Sequence, residues 1–81
     1  MKVRVLFFGV TREITGLREE CVELAEGARA GELLDLYKRR FPRLEAMGRS
    51  LALGVNQEFG ERERVLKEND EVALLPPVSG G

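Results

Sequence analysis

Two hydrophobic periods divide the chain. From Lys2 to Phe8, Val3, Val5 and Phe7 alternate with Arg4, Leu6 and Phe8, the two-residue repeat of a β-strand. Both faces of that strand are largely apolar, which predicts a central position or a second face that meets a partner. Gly9 opens a break, and Val10 to Gly16 is short and mixed. From Arg18 to Leu24, Glu20, Val22 and Leu24 alternate with Glu19, Cys21 and Glu23, a second strand able to form a hairpin with the first. After a loop from Gly27 to Gly31 the period changes. Leu33, Leu34, Tyr37 and Phe41 make one apolar stripe, which predicts a helix over Gly31 to Phe41. Glu32 and Asp35 sit early in it and Lys38, Arg39 and Arg40 late, as the helix dipole favours. Pro42 ends it, because the residue before a proline avoids the helical region. Leu51, Leu53 and Val55 predict a third strand, followed by a turn at Asn56-Gln57-Glu58. Phe59 stands alone among polar residues. A charged stretch from Glu61 to Arg64 leads to a short apolar step at Val65-Leu66. Asn69-Asp70 is a second turn, and Glu71 to Leu75 is the last strand.

The expected order is strand, strand, helix, strand, a short irregular element, strand: an α+β fold. One helix cannot cover both faces of such a sheet. If Val3, Val5, Phe7, Val72 and Leu74 face the helix, Leu6, Phe8, Ala73 and Leu75 lie on the open face, with Phe59 beside them. An exposed apolar patch of this kind on a small protein marks a binding surface.

Composition narrows the chemistry. Eighty-one residues, 43% of them apolar, make one domain with a compact core. No apolar run approaches the roughly 18 residues that span a bilayer, and the N-terminal stretch lacks a cleavage site, so neither a membrane nor a secreted location is expected. Thirteen basic and 14 acidic residues give a net charge of −1. Arg39, Arg40 and Arg43 are the only short basic cluster and read as a solvated helix face, not a nucleic-acid surface. The single cysteine, Cys21, reads as a structural strand residue and fits a reducing cytoplasm. With no histidine, the chain lacks the commonest general base, the serine and cysteine triads and most zinc sites. No metal site is expected.

The end of the sequence, LLPPVSGG, is different in kind. Pro76 and Pro77 lack amide donors and favour an extended, solvated conformation. Residues 76–81 therefore read as a tail beyond a body of residues 1–75, with a reach of roughly 20 Å at about 3.3 Å per residue. Gly80 and Gly81 have no Cβ and suit a narrow channel. A carboxylate at such a tip is a poor acyl donor until an enzyme adenylates it.

The stretches VLFFG, REITG, VNQE and DEVALLPPVSGG, in this order and over the full length, resemble the small, sulfur-carrier subunit of molybdopterin synthase (the MoaD family). The family usually has Gly-Asp where this chain has Asn69-Asp70; asparagine tolerates the same turn geometry. The resemblance implies a ubiquitin-like β-grasp with a mixed four- to five-stranded sheet, one main helix on one face and the extended tail. It implies a sulfur carrier that is not an enzyme on its own and binds no cofactor. A partner adenylating enzyme of the ubiquitin-activating type uses ATP and magnesium on Gly81, adjoined by Gly80. A sulfur donor such as a cysteine desulfurase then yields a thiocarboxylate, which gives its sulfur to cyclic pyranopterin monophosphate in the large synthase subunit, within a heterotetramer. Phe8, Phe59, Leu75 and the tail residues Pro76, Pro77, Val78 and Ser79 would meet the large subunit, with Arg12 at the rim. A carrier for tRNA thiolation or thiazole synthesis, or a ubiquitin-like protein modifier, would share the same terminus.

Overall fold

The computed structural model describes residues 1–76. Strand β1 (Lys2–Phe7) is followed by helix α1 (Val10–Thr15), strand β2 (Glu19–Glu23), helix α2 (Ala30–Arg40) and helix α3 (Pro42–Ala46). A 3-10 turn (Gly48–Ser50) leads to β3 (Ala52–Val55), β4 (Glu58–Gly60) and β5 (Glu71–Leu75). The strands form one sheet in the order β2-β1-β5-β3-β4. Among the described residues, only β1 and β5 run parallel; the remaining pairs are antiparallel. This is the α+β architecture expected.

Strand parity decides the core. Val3, Val5 and Phe7 of β1, Val72 and Leu74 of β5, and Leu53 and Val55 of β3 are buried. They meet Leu33, Leu34 and Tyr37 of α2, with Leu44 and Leu66 closing the ends. Each such side chain contributes about 2 kcal/mol on leaving water. Phe7 packs edge-on against Tyr37, with ring centroids 5.3 Å apart.

The same tyrosine ties edge strand β2 to the helix. Its hydroxyl donates to Glu20 Oε1 at 2.6 Å, and Arg40 Nη1 donates to that oxygen at 2.6 Å. The Arg40 guanidinium also lies over the rings of Tyr37 and Phe41, at 5.3 and 5.1 Å. The hydrogen bond from Arg40, then that from Tyr37, holds the Glu20 carboxyl below its usual range. Burial, then Glu20, pushes the Tyr37 phenol well above its own.

Four expectations are corrected. Val10 to Gly16 is a helix and not a mixed break, so β1 and β2 pair antiparallel but are joined by α1 and not by a tight turn. Residues Pro42–Ala46 form α3, because the proline that stops α2 is preorganised for a first helical turn. The helix spans Ala30–Arg40, one residue earlier than expected at both ends: the Arg29 N–H donates to Glu32 Oε2 at 2.6 Å and so fixes its start. Phe59 lies in strand β4, which begins at Glu58; the turn is left to Asn56 and Gln57, both at positive φ (52° and 69°), the backbone of a two-residue hairpin.

Candidate functional site

The face of the sheet away from α2 carries the site. Register places its residues in rows. Leu6 pairs with Ala73, Ala73 with Gly54, and Gly54 with Phe59. Leu75 pairs with Ala52 in the neighbouring row, and Phe8 directly follows β1 beside it. Leu6, Phe8, Gly54, Phe59, Ala73 and Leu75 line a hollow of about 280 Å³, with Gln57, Glu58 and Glu71 at its edge. Phe59 is 86% exposed and Phe8 46%. A Cβ at Gly54 would lie 3.6 Å from Ala73 Cβ and 3.7 Å from Leu75 Cδ1, so the missing side chain leaves the hollow open. Two phenyl rings held in water above an apolar floor hold an unfavourable surface that a partner would cover.

A charged border runs along one side. Arg4 Nη2 meets Glu71 Oε1 at 2.5 Å, and Arg4 Nε lies 3.7 Å from Glu19. Glu58 lies 3.9 Å from Arg64 at the far end. Cys21 is exposed and sits opposite Arg4 on β2, a strand residue as expected, at the outer margin of this face.

The root of the tail lies beside the hollow. Strand β5 ends at Leu75, and Pro76 follows at the point where the amide ladder stops. Gly9 adopts φ 55° and ψ −126°, open to glycine alone among the common residues. A Cβ there would approach Pro76 Cγ to 3.2 Å. Thr11, the buried polar residue of the described chain, accepts from the Phe8 N–H at 2.9 Å. Its hydroxyl proton faces the carbonyls of Phe8 at 2.8 Å and Leu74 at 3.0 Å.

Of the residues expected at the site, Phe8, Phe59 and Leu75 come together in one hollow, and Pro76 lies next to it. Arg12 is exposed on α1 and borders a separate shallow depression with Gly9, Glu13 and Gly16. Pro77, Val78, Ser79, Gly80 and Gly81 lie outside the described residues. Thr11, Gly54 and Arg4 were not singled out from the sequence. Thr11's partner Leu74 is 63 positions away, and nothing local announces it. Among the described residues, no three His, Cys, Asp or Glu side chains are grouped to hold a metal ion, and no helix is long and apolar enough to cross a membrane.

The ThiS family profile matches residues 5–81. The chain belongs to the ThiS family. Relatives of this ThiS-family chain include a molybdopterin synthase sulfur carrier subunit from Mycobacterium tuberculosis, 40% identical over 100% of this chain and 99% of that protein. Another, of the same description, from Chlamydomonas reinhardtii, is 36% identical over 100% of both. Among solved structures, a putative molybdopterin converting factor subunit 1 from Pyrococcus furiosus superposes with a TM-score of 0.85 at 30% identity, over 95% of this chain and 98% of that one. The small archaeal modifier protein 1 of Haloferax volcanii superposes at 0.83, with 25% identity over 95% and 98%. A chain of the complex of subunits 1 and 2 of the molybdopterin-converting factor from Helicobacter pylori gives 0.69, with 27% identity over 100% of each. The fold is the ubiquitin-like β-grasp.

Proposed function

We propose that this chain is the sulfur carrier of molybdopterin synthesis, and that Gly81 bears the transferred sulfur. One observation carries the reading: strand β5 supplies Leu75 to the apolar hollow and then runs directly into Pro76, so a docking surface and the root of the PPVSGG segment share one strand. Relatives up to 40% identical that carry the sulfur-carrier description support it. The complex of subunits 1 and 2 from Helicobacter pylori supports a large-subunit partner, to which we assign the hollow.

The chemistry follows from the carboxylate. Oxide is a poor leaving group, so an adenylating enzyme first uses ATP and magnesium to join Gly81 to AMP, releasing pyrophosphate. The outer sulfur of a persulfide on a donor such as a cysteine desulfurase then displaces AMP to give an acyl disulfide, and a thiol reductant cleaves the S–S bond, leaving the thiocarboxylate and returning the donor's cysteine; free sulfide displaces AMP to the thiocarboxylate in one step. This group is a better nucleophile than the carboxylate, and docking holds it at high effective concentration beside the pterin substrate. Cyclic pyranopterin monophosphate receives the sulfur, and two such transfers complete the dithiolene. Catalytic side chains belong to the large subunit, and this chain acts as a co-substrate of the transferase, without a cofactor of its own.

A second reading has one observation in its favour, the superposition on a protein described as a small archaeal modifier. A modifier would form an amide from Gly81 to a lysine amine. The experiment is incubation with ATP, the adenylating enzyme and sulfide, followed by intact-mass measurement. The carrier reading expects a gain equal to one oxygen-to-sulfur exchange and loss of that gain on adding large subunit and pterin. Lysine-linked adducts with no sulfur gain would favour the modifier.

A further inference from the structure

We propose that Thr11, backed by Gly9, is a positioning residue for sulfur transfer: it clamps the end of strand β5 and thereby sets the direction in which the tail departs toward the partner's active site. The proposal rests on the carrier reading above.

The parallel β1–β5 ladder has its last pair at Phe7 and Leu74. Beyond it the two strands would be free to part, because Pro76 has no amide hydrogen to continue the ladder. Thr11 takes over at that point. Its buried hydroxyl accepts from the Phe8 N–H and turns its proton toward the Phe8 and Leu74 carbonyls. One side chain thus joins the end of β1, the start of α1 and the last buried residue of β5. Rotating the hydroxyl away would leave the Phe8 N–H without this partner and would break the buried contact to the Leu74 carbonyl, which favours the observed geometry. Further support comes from below: Thr15 Oγ1 donates to the Thr11 carbonyl at 2.9 Å. Gly9 completes the seat. Its backbone lets Pro76 approach so closely that a Cβ would meet Pro76 Cγ at 3.2 Å, tight enough to push the proline aside. Leu74 is tied by Thr11, and Pro76 rests on Gly9. Leu74 and Pro76 are thus two successive held points where β5 meets the segment that follows it.

The hollow is formed by other side chains, and the core would close around a valine of the same shape. Two of the hydroxyl's contacts are local, to Phe8 at the entry to α1; the contact to the Leu74 carbonyl is the one that holds β5. Transfer rates are sensitive to such placement, where a shift of about 1 Å at the reacting group costs about a hundred-fold.

The test compares Thr11→Val, which keeps shape and removes the hydroxyl, with Thr11→Ser, which restores it. Tyr37→Phe serves as a control that deletes a hydrogen bond to edge strand β2 and leaves the β1–β5 junction untouched. Each chain is thiocarboxylated, saturated with large subunit, and followed by intact mass through a single turnover with pterin. Thr11→Val is expected to lose sulfur at least about ten-fold more slowly at saturation, with Thr11→Ser and Tyr37→Phe within about two-fold of the wild type. A second measurement needs no sulfur. A nitroxide on the sole cysteine, Cys21, exposed on the same face, broadens amide signals of residues 78–81 according to their distance from it. Thr11→Val is expected to change that profile and Thr11→Ser to return it. An unaltered profile, or a Thr11→Val rate equal to wild type at saturation, overturns the clamp. If wild type itself never gains sulfur, the carrier reading fails, while the nitroxide profile still decides the clamp.

Discussion

Phe59 offers the sharpest quantitative prediction. It is 86% exposed, so its contribution to the free chain's stability is small, and replacing it by alanine should move stability by no more than about 0.5 kcal/mol. In a complex that covers the hollow, the ring would leave water. A phenylalanine buries at least about 150 Å², so an 86% exposed ring has about 130 Å² left to lose. At about 25 cal/mol per Å² this is about 3 kcal/mol. The Cβ kept by alanine lowers the difference to about 2 kcal/mol, or about thirty-fold in Kd. Calorimetric titration of Phe59→Ala into the large subunit measures it, with thermal unfolding of the free chain alongside. The two readouts should separate: affinity falls and Tm holds. A Kd within about two-fold of wild type would refute the assignment of this face to the interface. A large loss of Tm would instead mean that Phe59 supports the fold, against its exposure.

The other predictions concern the root of the tail and the β2 anchor. Gly9→Ala should destabilise the chain by about 1–3 kcal/mol, since both φ and the approach of Pro76 oppose a side chain; denaturant unfolding measures it, and an unchanged midpoint would contradict the seat described for Pro76. Glu20 has a folded-state pKa below its unfolded one, so its contribution is present above the ordinary carboxylate range and is lost as pH falls through the lowered value. Because Arg40 is half-exposed, that contribution is about 1 kcal/mol or less. Glu20→Gln should therefore flatten the acid limb of stability below about pH 4.5, and an acid limb as steep as wild type would count against the anchor. Cys21→Ser should leave both folding and sulfur transfer at wild-type levels, since the thiol is exposed at the margin of the face; lost transfer would give that thiol a role that a strand residue does not have.

Much of the fold was legible in the sequence because burial follows parity. Val3, Val5 and Phe7 had to share a face, and register then forced Leu6, Ala73 and Leu75 onto the other. That is why the apolar hollow emerged from alternation alone. The elements that were missed are those too short to show a period. Helix α1 has six residues, barely more than one turn and a half, and its inward contacts come from Thr11 and Ile14. Strand β4 has three, with Phe59 the single large apolar residue and pointed at the open face, so neither alternation nor burial marked it. Thr11 stayed silent for another reason. Its hydroxyl acts through a carbonyl 63 positions away, and a threonine in a polar stretch carries no sign of a distant partner. In the sequence, the terminal PPVSGG segment stood out by its prolines and glycines, and it is on Gly81 that the proposed sulfur chemistry rests.

The most direct test of that conclusion is a semisynthetic comparison. The chain is prepared with Gly81 as a thiocarboxylate, as a carboxylate and as an amide, and each is mixed with large subunit and cyclic pyranopterin monophosphate in the absence of any activating enzyme or sulfide. Only the thiocarboxylate should yield sulfur-bearing pterin, with one sulfur delivered per chain. Sulfur-bearing product from the amide would contradict the account.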